Sequence, residues 1–252
     1  MTSRLQDALA AKEQVWGGWV VGPTIIGPEE FAAAGYDYVG FDLQHGYLDD
    51  ADVALLLRRL EHVPIATAVR LPSIDPAPIG RVLDAGADAV IIAMIESAEQ
   101  AAAAVAATRY APDGVRSFGP LRASLGLDPA ALEARVSVFA MIETALGLSA
   151  VDEICAVSGL TGVYVGPADL AISLGYGLAD AWTEGPVRDA MARVHKAASA
   201  AGLVAGIHAS SGIRGKAMAE TGFQMITLAS ESQALRRGAV DHLNEATGRS
   251  AL

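Results

Sequence analysis

Two short stretches each end an apolar run in a carboxylate: Met141-Ile142-Glu143-Thr144 and Gly166-Pro167-Ala168-Asp169-Leu170. The runs before them read as buried strands. An ionised group at the end of a buried strand must cap, pair or bind something, because it has left water behind. On successive strands of a parallel barrel, Glu143 and Asp169 could share one hard divalent cation through oxygen ligands. Asp169 has a plain alternative as the N-cap of the next helix. Glu143 has no basic neighbour in sequence to pair with.

Other polar residues fall at the ends of apolar runs in the same way. Asp42, Gln44 and His45 follow one run, Arg70 another, Glu96 a third and His208 a fourth. Arg70 closes the stretch 65–69, where burial calls for an anion. Its planar fork suits a substrate carboxylate, and a salt bridge to Asp42 is the competing reading. In Phe41-Asp42-Leu43-Gln44-His45-Gly46, Asp42 could orient the His45 imidazole as a general base. Equally, Asp42 could cap backbone N–H groups and leave His45 exposed. Lysine occurs only at positions 12, 196 and 216, on no candidate strand. Schiff-base catalysis is therefore disfavoured, and enolate chemistry would rely on a cation as electrophile.

The elements that must position these groups alternate. Strand candidates are 18–22, 38–43, 65–71, 89–95, 138–142, 162–166, 203–208 and 225–229. Helix candidates are 28–34, 51–61, 76–85, 98–108, 145–157, 185–201 and 212–220. Buried strands alternating with helices mean a parallel sheet, and eight is the number of strands that closes a TIM (β/α)8 barrel. We expect one α/β barrel domain over 1–252, with a leading N-terminal helix and a C-terminal helical segment. Active sites of such barrels sit at the C-terminal strand ends. Gly35, Gly86, Gly202 and Gly222 each follow a helical run and read as left-handed C-caps. The stretch 111–132, rich in Gly and Pro, interrupts the alternation as an excursion on the bottom or side, or as an oligomer contact.

Composition narrows the partners. The chain has 252 residues, is 52% hydrophobic and carries a net charge of -11, so no nucleic-acid or anionic-membrane partner is expected. Aromatic residues make up only 6%, too few for a base-stacking surface. Cys155 is the single cysteine, which excludes an internal disulfide and suggests a buried structural thiol. The first residues lack the apolar core of a signal peptide, and no run has the length of a membrane span. The expected location is the cytoplasm.

Trp19, Phe41-Asp42-Leu43-Gln44-His45-Gly46, Arg70-Leu71-Pro72, Asp84-Ala85-Gly86-Ala87 and the two carboxylate motifs together resemble the HpcH/HpaI aldolases, metal-dependent class II pyruvate aldolases of the phosphoenolpyruvate/pyruvate barrel superfamily. The resemblance runs in order from about residue 17 to residue 229. It implies that Glu143 and Asp169 bind Mg²⁺, Mn²⁺ or Co²⁺, and that Arg70 and the backbone N–H groups of Gly166 and Ala168 hold a 2-oxo acid. It further implies proton transfer by His45 oriented by Asp42, an aldehyde pocket lined by Trp19, and Asp84 acting at a neighbouring subunit's site. The reaction would cleave or form 4-hydroxy-2-oxo acids from pyruvate or hydroxypyruvate and an aldehyde, through a metal-stabilised enolate. The implied assembly is a homohexamer, a dimer of trimers with a helix exchanged between neighbours.

Departures from the resembled pattern are Met141, where many relatives carry Gln, Ala93, where many carry Pro, and Gln44 in place of Glu. They leave the metal and base positions intact and bear on aldehyde preference. Two other readings stand beside the aldolase: a CoA-ester lyase of the same superfamily, and a non-catalytic barrel that binds a small oxo acid. Metal-dependent turnover of oxaloacetate separates enzyme from binder, and CoA-ester assays separate the two enzymes.

Overall fold

The computed structural model describes residues 2–249. Eight parallel strands close into a barrel in sequence order: β1 (Val15–Val20), β2 (Tyr38–Asp42), β3 (Ala66–Leu71), β4 (Ala89–Ile92), β5 (Ser137–Ile142), β6 (Gly162–Val165), β7 (Val204–His208) and β8 (Met225–Ser230), which pairs back with β1. Helices follow the strands on the outside, as in a TIM barrel. Among the described residues no helix is long and apolar enough to cross a membrane.

The strand period of two sorts the side chains into two cores. Outward positions such as Val39, Phe41, Val69, Val138, Ala140 and Ile142 pack against the helices. Inward positions such as Tyr38, Ala66, Ala68, Ile91, Phe139, Met141, Tyr164 and Met225 fill the lumen. The helix Arg4–Ala11 leads the chain, and its Leu5, fully buried, belongs to this lumen core. Following the same period upward, the last inward position is Asp42 on β2 and Arg70 on β3, whose Cα atoms are paired in register. By the same count it is Glu143 just past β5, Gly166 just past β6 and His208 on β7.

Glycine makes room for large lumen side chains. A Cβ on Gly40 would lie 2.2 Å from Trp19 Cζ3, so the indole ring occupies the space over that residue. Gly17 is likewise covered by the Tyr38 ring, 2.1 Å from where a Cβ would be. This explains the displaced first strand: β1 begins at Val15 rather than at 18, because Gly17 and Gly18, poor strand formers by themselves, are held in the sheet by neighbouring rings. The fourth strand stops at Ile92 rather than 95, because Met94 adopts φ 57 and turns the chain out of the sheet. The expected helix 145–157 is broken into Ala145–Ser149 and Val151–Cys155. The four expected C-cap glycines all have positive φ. Within the excursion, Arg116 anchors on Asp84 at 2.7 Å and over the Tyr110 ring. Cys155 is buried, and burial pushes its thiol up to about 11, as suits a structural residue.

Gly40→Ala should lower unfolding stability by about 1–3 kcal/mol, the usual penalty of overpacking, and should shift Trp19 fluorescence. Urea denaturation checks it; parental stability with an unchanged emission spectrum would show that the space over Gly40 is not needed by the ring.

Candidate active site

A cavity of about 580 Å³ opens at the C-terminal ends of the strands. Its walls include Trp19, Asp42, His45, Arg70, Met141, Ala168, Asp169 and His208, so one cavity gathers residues from six strands. Asp84 is elsewhere. It ends the helix Pro76–Asp84, paired with Arg116, and lines a separate groove with Leu55 and Leu121. Glu96 is also outside the cavity, its backbone N–H donating to Gln100.

Asp42 is the most connected group in the site. Arg70 Nε donates to its Oδ1 at 3.0 Å and Arg70 Nη2 to its Oδ2 at 2.5 Å. Trp19 Nε1 donates to Oδ2 at 3.1 Å, and the backbone N–H groups of Gln44 and His45 both donate to Oδ1 at 3.0 Å. Burial by itself would raise this carboxyl. The Arg70 hydrogen bonds and charge, with His45 N–H and Trp19, outweigh it and hold the group below its ordinary value. The expected contact between Asp42 and the His45 imidazole is therefore replaced: Asp42 holds the main chain of His45 and leaves the ring exposed at the cavity wall. The pairing with Asp42 engages Nε and Nη2 of Arg70, so Nη1 is left for a ligand.

Glu143 is the opposite case. It is 1% exposed; its Oε1 accepts from the Met94 backbone N–H at 2.9 Å, and its buried Oε2 has no protein hydrogen-bond partner. A Cβ on Gly166 would sit 2.5 Å from that oxygen, so only glycine there leaves the oxygen its space. Burial, with the nearby Asp169 charge, pushes the Glu143 carboxyl up to about 7 despite the Met94 hydrogen bond. Asp169 is not an N-cap. Gly166 occupies that position, and Asp169 sits in the first turn of the helix Pro167–Ser173, half-buried. A desolvated carboxylate with an orphaned oxygen beside a second carboxylate fits a divalent cation, which would supply what the protein leaves out. Among the described residues no group of three or more His, Cys, Asp or Glu is poised around a metal. Of the two backbone donors expected to hold a carboxylate, Gly166 N–H makes a long bond of 3.4 Å to the Ile142 carbonyl, and Pro167 supplies none, so Ala168 N–H is the more available.

Some contributors were not legible beforehand. Met94, in the left-handed region, was read as ordinary strand; only the tertiary pairing with Glu143 gives it meaning. Trp182, Ser210, Arg214 and Gln233 also line the cavity, from segments without a motif. His208 stands edge-on to Trp19 with ring centroids 5.1 Å apart. Burial, aided by the Arg70 charge, pushes it down to about 4, so it is neutral at pH 7.

The raised Glu143 carboxyl carries a pH signature. Its folded value of about 7 lies above the ordinary 4.5, so the fold favours the protonated form. That stabilising contribution is full below the ordinary value and is lost as pH rises through about 7. In chelator-treated protein, Glu143→Gln should therefore be more stable than the parent at pH 8, by roughly 3 kcal/mol at about 1.4 kcal/mol per pH unit. Below the ordinary carboxylate range the two should converge. A stability gap independent of pH would refute the burial argument.

A family model described as HpcH/HpaI aldolase/citrate lyase matches residues 17–237. The chain is 36% identical over 255 residues to a hydroxypyruvate/pyruvate aldolase of Paraburkholderia phytofirmans, covering 97% of this chain and 97% of that protein. It superposes on the crystal structure of an HpcH/HpaI aldolase/citrate lyase family protein from Burkholderia cenocepacia with a TM-score of 0.89 at 33% identity, covering 97% of this chain and 99% of that one. It is more distantly similar to CitE from Mycobacterium tuberculosis, solved in complex with magnesium and acetate, with a TM-score of 0.56 at 25% identity over 86% of each chain. Barrel, carboxylate pair and sequence likeness over nearly the whole length agree: the chain belongs to the HpcH/HpaI aldolase/citrate lyase family and is a carbon–carbon lyase of the aldolase type.

Proposed function

We propose that the protein is a divalent-metal-dependent aldolase that cleaves or forms 4-hydroxy-2-oxo acids, with pyruvate or hydroxypyruvate as the oxo-acid component. The observation that carries this reading is the buried, unpartnered Oε2 of Glu143 beside Asp169, at the strand ends where Arg70 and His45 also converge. Glu143 and Asp169 would hold Mg²⁺, Mn²⁺ or Co²⁺. When bound, the cation supplies positive charge where negative charge develops on the oxo acid. Magnesium in the M. tuberculosis neighbour and hydroxypyruvate/pyruvate in the name of the P. phytofirmans relative support the choice.

Arg70 Nη1 and Ala168 N–H would bind the oxo-acid oxygens. Asp42 fixes the Arg70 fork in place, so little ordering remains to be done when substrate arrives. The exposed His45 ring, set at the cavity wall by its own backbone bond to Asp42, would move the proton of the aldol hydroxyl. Trp19 would line the aldehyde side. Among the described residues no lysine lines the cavity, which fits a mechanism without an imine. We further infer a homohexamer in which Asp84, remote from this cavity, serves a neighbouring subunit. The exposed Phe118 and Leu121 on the excursion, and the helix Glu231–Thr247 with no buried residue, are consistent with extensive subunit contact.

Exhaustive chelation should abolish both aldol cleavage and oxaloacetate decarboxylation, and Mg²⁺, Mn²⁺ or Co²⁺ should restore them. Activity that survives chelation would overturn the metal reading.

His45→Ala should reduce aldol cleavage by about 10²–10⁴-fold while sparing decarboxylation, which has no hydroxyl proton to move. Arg70→Lys, which keeps a charge against Asp42 but loses the fork, should impair both reactions. Equal losses in both reactions for His45→Ala would reject its role in proton transfer.

A further inference from the structure

The turn that carries His45 is pinned at two points. At one end Asp42 Oδ1 accepts from the N–H groups of Gln44 and His45. At the other end the Tyr47 N–H donates to the Val21 carbonyl at 2.7 Å. Gly46 lies between the two supports. A Cβ there would come within 2.3 Å of the Asp42 carbonyl oxygen and 2.8 Å of the Val21 carbonyl oxygen. The turn therefore rests on the chain just past β1, and the His45 end of it is only as fixed as Val21 is.

Val21 lies beyond the sheet. β1 ends at Val20, and its register with β8 runs out at Trp19 and Ser230. There β8 gives way to the helix Glu231–Thr247, so the ladder between the two strands stops. The Glu231 side chain takes its place. Its Oε1 accepts from the N–H groups of Val21 at 2.8 Å and Gly22 at 3.1 Å. The start of the helix Ile26–Ala33 covers the stem of the same side chain: a Cβ on Gly27 would lie 3.1 Å from Glu231 Cβ. Glu231 takes part in no ion pair among the described residues, and its Oε2 is buried without a protein partner. Two backbone amides, rather than a cation, are what this carboxylate holds.

We propose that Glu231 is a positioning residue for proton transfer: by holding the Val21 and Gly22 amides, it fixes the carbonyl on which the His45 turn rests. The proposal rests on the reading of His45 given above, and it adds a residue that does not itself line the cavity. A proton-transfer group works only within hydrogen-bond reach of its proton, and a displacement of about 1 Å can cost about 10²-fold in rate.

The test compares Glu231→Ala, Glu231→Gln, His45→Ala and the Glu231→Ala/His45→Ala double variant in aldol cleavage and in oxaloacetate decarboxylation with Mn²⁺. Glu231→Ala should lower kcat for aldol cleavage by about 10–100-fold. KM and decarboxylation should stay close to parental values, because other elements hold the oxo acid. Glu231→Gln should recover most of the loss, since its amide oxygen can accept from the same two N–H groups. In the double variant, Glu231→Ala should add no further loss to that of His45→Ala. Equal losses in both reactions for Glu231→Ala, no recovery with Glu231→Gln, or a full further loss in the double variant would overturn the proposal. Should Glu231→Ala not fold, Glu231→Asp makes the same comparison: it keeps the charge at the helix start and is too short to reach both amides. Hydrogen exchange reads the support without the chemistry. The Val21 and Tyr47 amides should exchange about tenfold faster in Glu231→Ala than in the parent, and unchanged exchange at Tyr47 would refute the support. Failure of the underlying reading shows elsewhere: a parent that turns over neither substrate refutes the aldolase, and equal losses in both reactions for His45→Ala refute the role of His45.

Discussion

The Asp42 carboxylate organises the site. It is buried, yet it accepts hydrogen bonds from Arg70, Trp19 and the backbone of residues 44 and 45. Each bond serves a different part of the site: the guanidinium fork, the indole wall, and the loop that carries His45. A carboxylate with a full set of donors stays ionised out of water, and it fixes what surrounds it. Removing it would leave Arg70 buried without its anion, which is costlier than losing one hydrogen bond.

Glu143 shows the complementary principle a few strands away. It has similar burial but one backbone donor, and the nearby Asp169 charge outweighs that of Arg70. Its carboxyl therefore moves up while that of Asp42 moves down. The environments of these two buried carboxylates thus separate their chemistry, one paired with a cation and one left with an unpartnered oxygen. Met94 contributes to this at the expense of backbone comfort. A non-glycine residue at φ 57 is retained because its N–H satisfies one Glu143 oxygen and its turn ends β4 early, clearing the strand end.

The lumen beneath explains why these groups can be held rigidly. Tyr38 and Tyr164 both meet the Thr227 hydroxyl, at 2.8 and 2.6 Å, in a fully buried trio. Trp19 stacks on Tyr164 with centroids 6.4 Å apart, and Gly40 yields the space the indole needs. The site floor is therefore packed aromatic and hydroxyl groups, while Trp182 and Arg214 come from the loops and helix starts that complete the cavity wall. Such a division lets one family keep its chemistry and vary its substrates.

The local sequence already determined the barrel and the inner half of the site. Alternating apolar runs and Gly-terminated helices specify eight strands, and the period of two sends Asp42, Arg70, Glu143 and His208 to one inward layer whatever the loops do. It left open what each polar residue pairs with, because a hydrogen bond between strands depends on register and rotamer rather than on neighbours in the chain. So the Asp42–Arg70 pair stood only as one of two readings, and Asp42 proved to hold the backbone of His45 rather than its ring. Asp169 as an N-cap was equally compatible with the motif, until the fold put Gly166 at that position. Met94 and the pairing of Arg214 with Trp182 join residues far apart in sequence with no motif between them. Only closure of the barrel brings them within contact, so only the tertiary structure decided them.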